Sequence, residues 1–156
     1  MKKIKEFETL KNEAYKYCRQ FVEERLGRIL AQIKELEAAL TSETKSSAGD
    51  KHETGRAMIQ LEREKLGQQL LELEKTQQLL SKVPKDRDSQ LVGLGNLVIT
   101  DSFIYYIAIS AGEFNNSTNS VYCISAATPI GKLIYGKTIG DTFHFNGKTS
   151  TILTIR

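Results

Sequence analysis

The chain has little cysteine, little proline and no long apolar run, and each shortage removes a class of protein. Cys18 and Cys123 are its only cysteines, far apart and without metal-ligand spacing. That excludes a disulfide-stapled scaffold and a cysteine metal knot, and the pair reads as two reduced, buried thiols of a cytosolic protein. Pro84 and Pro129 are its only prolines, so nothing covalent interrupts a helix before residue 84. No stretch approaches the roughly 20 apolar residues of a membrane span. The N-terminus, with Lys2, Lys3, Lys5 and Glu6, carries charge where a secretory signal would carry an apolar core. A cytoplasmic protein with no membrane partner is expected.

Charge of one sign is also lacking. The net charge is +3, from 22 Lys and Arg against 19 Asp and Glu. By segment the balance is nine against seven over residues 1–40, seven against seven over 41–83 and six against five over 84–156. A protein that binds nucleic acid unaided concentrates positive charge on one element, and no segment here does so.

What the chain does have is helical periodicity followed by strand periodicity. Cys18, Val22, Leu26, Ile29, Ile33, Leu36 and Leu40 alternate spacings of four and three, the stripe of one face of a helix running from about residue 4 to 40. Its one weak point is Gly27, which costs about 1 kcal/mol relative to Ala, and its length is roughly 50 Å. Residues 41–49 are small and polar and read as a loop. Met58, Leu61, Leu66, Leu70, Leu73 and Leu80 mark a second helix from near Asp50 to near Lys82, where Pro84 disfavours helix at Val83. Two striped helices joined by a short loop fold back as an antiparallel coiled-coil hairpin, because each stripe needs a partner.

After a solvated linker, Lys85 to Ser89, the period changes to that of strands. Leu91–Thr100, Phe103–Ser110, Val121–Ser125 and Thr149–Ile155 are β-branched or aromatic runs. Asn115 to Asn119 marks a hairpin loop, and Asn146-Gly147 a tight turn between Thr142–Phe145 and the last strand. Pro129 to Tyr135 is expected as a short helix. The expectation is an α+β protein of two modules, a helical hairpin over 1–83 and a small antiparallel sheet domain with one short helix over 84–156.

Asp50 and Glu53 fall at the turn of the hairpin, within Ser47-Ala48-Gly49-Asp50-Lys51-His52-Glu53-Thr54. One reading is a capping box: Asp at the N-cap accepts from the backbone N–H three residues on, and the Glu reaches back. A negative charge there also suits the helix dipole. The other reading is a pair of Mg²⁺ ligands, since Mg²⁺ is held by one or two carboxylates plus waters and substrate phosphates. Such a pair can complete a two-metal site that another molecule supplies. The two readings are compatible, because a carboxylate has several lone pairs.

With Gly49, Asp50 and Glu53 opening the second helix, the chain resembles the Gre family of bacterial transcript-cleavage factors, whose tip carries Gly-Asp-x-x-Glu there. A second, longer match is Thr128-Pro129-Ile130-Gly131-Lys132-Leu133-Ile134-Tyr135-Gly136-Lys137-Thr138-Ile139-Gly140-Asp141, against a family pattern of Ser-Pro-Ile/Leu, a short helix, Gly-Lys and Gly-Asp. Where the family has Asn, Glu and an aromatic after the acidic pair, this chain has Thr54, Arg56 and Ala57, and Lys51 replaces a usual aliphatic.

The resemblance implies an N-terminal coiled coil and a C-terminal FKBP-like domain in a monomer. It implies that the hairpin enters the secondary channel of bacterial RNA polymerase and meets the RNA 3′ end only indirectly, in the elongation complex. Asp50 and Glu53 are then the catalytic and metal-binding residues, holding a Mg²⁺ shared with the polymerase and orienting a water toward backtracked RNA. The protein itself is then no enzyme but a cofactor of the polymerase's own hydrolysis. Lys51 and Arg56 become candidate RNA contacts, and Thr128 and Pro129 candidate polymerase contacts or simply a rigid turn. The rivals are a channel-binding regulator without cleavage and a coiled-coil interaction protein.

His52 reads as a loop histidine and His144 as one packed on a strand. Cys123 with His144 lacks the orienting third group of a nucleophilic site. A prolyl isomerase would rest on fold analogy alone.

Overall fold

The first helix, α1 (Lys2–Lys45), runs 44 residues without a break, about 66 Å at 1.5 Å per residue. The computed structural model describes residues 2–45, 49–87 and 89–156, with the side chains of Lys3, 43–45 and 49–52 left out. Residues 41–45, expected in the loop, are helical. Within that stretch Thr41 donates its hydroxyl proton to the Glu37 carbonyl one turn back, at 3.0 Å. The second helix, α2 (Gly49–Ser81), begins one residue before Asp50. Its end tightens, with Lys82 N–H bonding Leu79 O at 3.1 Å and Val83 N–H bonding Leu80 O at 3.2 Å, just before Pro84.

Contacts divide the chain into two compact units, Val22–Gln77 and Met1–Phe21 with Gln78–Arg156. The first is the hairpin. α1 and α2 pack against each other as a helical hairpin. The seam on α1 follows the sequence stripe, with Val22 and Ile33 buried. The seam on α2 differs from expectation. Met58 and Leu61 are 67% and 68% exposed, whereas Leu66 and Leu73 are buried and Ile59 and Arg63 are half-buried. Counting back from Leu73 in steps of three and four gives Leu70, Leu66, Arg63 and Ile59. A charged residue thus fills a heptad position, and Arg63 Nε reaches Glu37 Oε1 on α1 at 3.4 Å.

The second unit is built on a six-stranded sheet: β1 (Leu97–Thr100), β2 (Ile104–Ile107), β3 (Gly112–Asn115), β4 (Ser120–Ile124), β5 (Thr142–Phe145) and β6 (Lys148–Ile155), in the order β3-β4-β2-β1-β6-β5. The sheet is mostly antiparallel, as expected. The pair β2·β4 is parallel, because the chain after β2 passes one strand position before turning, and the β3–β4 hairpin slots β4 into the gap. The hairpin loop is closed by Asn116, whose Oδ1 accepts from the N–H of Thr118 at 2.9 Å and of Asn119 at 2.6 Å. At the β5–β6 turn Asn146 and Gly147 both adopt positive φ, 52° and 76°, as a two-residue hairpin turn demands.

The short helix α3 (Pro129–Ile134) covers one sheet face. Its Ile130 and Ile134 bury against Val98, Tyr105, Ile107, Phe143 and Ile152. The opposite face carries Tyr106 and Cys123, which meet Cys18 and Tyr15 of α1. Leu10, Ala14 and Cys18, spaced by four on α1, are buried there. Cys18 therefore serves the sheet core rather than the hairpin stripe. At the edge, Tyr17 stacks 5.4 Å from Phe114, and Asn116 Nδ2 donates to Glu13 at 2.9 Å.

Candidate functional site

Helix α2 opens at Gly49 because a segment that turns back from α1 must restart its own hydrogen-bond ladder there. Asp50 and Glu53 thus occupy its opening turns, and positions three apart lie on one side of a helix. Glu53 is exposed, and so is Arg56 three residues further on. The side chains of Asp50, Lys51 and His52 lie outside the described residues. With Gly49 already helical, Asp50 sits inside the first turn instead of flanking it.

Among the described residues no group of three or more His, Cys, Asp or Glu is gathered to hold a metal. As a donor set, two carboxylates in one helical turn match the hard-oxygen chemistry of Mg²⁺ and fill only part of its octahedron.

The second candidate group, at the N-terminus of α3, lies in the other unit. Thr128 is the N-cap: its Oγ1 accepts from Gly131 N–H at 3.1 Å and donates to Ser125 O at 2.7 Å. Pro129 occupies the first helical position, where its missing N–H costs nothing. Pro129 is exposed and Thr128 half-buried. A Cβ on Gly131 would collide with the Ser125 carbonyl oxygen, so the glycine is set by that close approach.

The rest of the long motif is equally structural. Gly136 turns at φ 81° and donates to Val92 O at 2.8 Å. Asp141 accepts from Thr138 N–H at 2.9 Å, while its backbone carbonyl accepts from Ile152 N–H at 2.9 Å.

His144 is exposed on β5 rather than packed, and its Nδ1 pairs with Thr149 Oγ1 at 3.0 Å. Cys123 is on β4, with three strands between it and β5 in the sheet order, and it is buried against Cys18. The two do not form a site.

Two features escaped the sequence pattern. Phe103, Tyr105, Tyr122 and Phe143 pack ring against ring, with Phe103–Tyr122 edge-on at 5.3 Å and Tyr105–Phe143 at 6.4 Å. Tyr105 and Phe143 are buried, so their faces are spent within the core. The other is a cleft beside Lys11 and Arg87, residues 76 positions apart (87 − 11). Such a distant pairing leaves no local signature.

No protein-family profile matches the chain, and no curated protein matches it in sequence. Among the described residues, no helix is long and apolar enough to cross a membrane.

Proposed function

We propose that the chain is a Gre-like transcription elongation factor that enters the secondary channel of bacterial RNA polymerase and stimulates cleavage of backtracked RNA. The observation that carries this reading is the start of α2 at Gly49, which places Asp50 and Glu53 in the opening turns of a long antiparallel hairpin. Carboxylates suit a helix N-terminus, and at the turn of a rod the same placement also suits delivery into a narrow site.

In this reading Asp50 and Glu53 hold Mg²⁺ together with groups of the polymerase. When bound, the ion supplies Lewis acidity and a water of lowered pKa. The exposed Glu53 carboxylate would orient that water by accepting a hydrogen bond from it, and Lys51, as a point charge, and Arg56, as a planar fork, would face the RNA phosphates. The reaction remains the polymerase's own hydrolysis. Thr128 and Pro129 dock the sheet unit on the polymerase.

A second reading, a channel-binding regulator without cleavage, is favoured by one observation. Arg56, an exposed cation, follows Glu53 within one helical turn where the family carries an acid, so the tip is less acidic.

Backtracked elongation complexes of the cognate polymerase, incubated with Mg²⁺ and the wild type, Asp50→Ala or Glu53→Ala, separate these readings. Cleavage that is lost in both variants while polymerase binding persists supports the first. Binding without cleavage in the wild type supports the second. An absence of binding removes both.

A further inference from the structure

A cleft of about 350 Å³ opens between the first turns of α1, the linker after α2 and the end of β6. Among the described residues, six charged ones line it: Lys11, Lys85, Arg87 and Arg156 against Glu8 and Asp86, four cations to two carboxylates. All belong to one compact unit.

Two of the cations lie close together. Lys11 is only 9% exposed. Burial pushes its pKa down, Asp86 and Glu8 pull it back up, and Arg87 lowers it further, so the two cations are close enough to repel. Among the described residues, Arg87 Nε is buried with no hydrogen-bond partner. A buried donor nitrogen of a cation without a partner carries a desolvation cost that an anion would offset.

The backbone makes room for this arrangement. The Arg87 guanidinium lies flat against Gly93, where any Cβ would overlap its carbon and both terminal nitrogens. A guanidinium fixed in this way offers a planar fork that matches phosphate geometry, and a lysine beside it supplies a point charge. The volume suits a small molecule and not a polymer groove.

We propose that this cleft is a binding site for a phosphate-bearing small molecule, with Arg87 and Lys11 gripping the phosphate and Gly93 setting the position of the guanidinium. The proposal is independent of the acidic tip. A free phosphate and a phosphate carried on a larger molecule share this chemistry, and probes of different size distinguish them.

The test is titration of the full chain with inorganic phosphate and with pyrophosphate, at ionic strength held constant with sodium chloride, followed by calorimetry and by thermal unfolding. The wild type is expected to show saturable binding and a rise in Tm beyond that in chloride. A preference for pyrophosphate assigns an extended ligand, and a preference for phosphate assigns the free anion. Lys11→Met and Arg87→Gln should each weaken binding by about tenfold or more, and Gly93→Ala should do the same by displacing the guanidinium. Glu8→Gln, which removes a carboxylate from the cleft, should tighten it. A wild type that gains nothing over chloride overturns the proposal, as do folded Lys11 and Arg87 variants that bind like the wild type.

Discussion

Cys18 of α1 and Cys123 of β4 lie thiol beside thiol, both essentially without exposure, between the helix and the sheet. The hydrogen bond to Cys18, then burial, push the Cys123 thiol well above its ordinary range. A thiol that stays protonated is a poor nucleophile. Both cysteines should resist a thiol reagent in the native protein at neutral pH and react only as fast as the unit opens, as a labelling time course in urea would record. Cys123→Ser should destabilise by about 1–3 kcal/mol, because it places a hydroxyl in an apolar site.

The hairpin seam can be checked by contrast. Leu66→Ala should cost about 2–5 kcal/mol, whereas Leu61→Ala should stay within about 0.5 kcal/mol. Arg63→Leu completes the apolar stripe at the expense of one solvent-exposed ion pair, worth at most about 1 kcal/mol. It is expected to leave the urea midpoint of unfolding unchanged or to raise it.

Lys11 gives a pH signature. Its proton is held less tightly in the folded chain than in the unfolded one, so the charged form weighs against folding at neutral pH. That penalty is relieved as pH rises from the lowered folded value toward the ordinary 10.5. Lys11→Met should therefore be more stable than wild type at neutral pH, by about 1–2 kcal/mol. The gap should close as pH approaches 10.5, read as the difference in Tm across a pH series.

Capping and docking at Thr128 separate by substitution. Thr128→Ala should cost about 1 kcal/mol of stability, and Thr128→Ser should restore it. Pro129→Ala, at an exposed position, should change stability by less than about 0.5 kcal/mol. A loss of polymerase binding in Pro129→Ala then reports docking alone.

The architecture was legible because it rests on short-range pattern. The four-three spacing from Val22 to Leu40 specifies a helix face, and Asn146-Gly147 specifies a turn through the positive φ that both residues adopt. The misreadings have equally local causes. Thr41 reads as loop by residue type but is helical, with its hydroxyl on the Glu37 carbonyl, and Gly112–Asn115, with Phe114 as its one strand-favouring residue, pairs with β4 all the same. Leu61 has the right chemistry for the seam at the wrong angle.

The two halves of the family resemblance differ in what they speak for. Gly131, Gly136 and Asp141 have structural duties, so the longer motif bears on fold. The short acidic motif is the one that bears on chemistry, and Asp50 stands one residue inside the helix start, where an N-cap residue would flank it. The cleft was illegible for another reason: Lys11 and Arg87 are ordinary surface residue types until the fold buries one and strands the other's Nε.

The corner before α3 has one more consequence. Ala127 N–H is given to Ser125 Oγ, Thr128 N–H to Ser125 O and the Thr128 hydroxyl proton to the same carbonyl, while Pro129 has no N–H. Across these three residues every proton is already committed. Whatever settles on this corner must bring its own donors, so the corner selects for a partner surface rich in N–H groups and is deaf to one that offers only carboxylates.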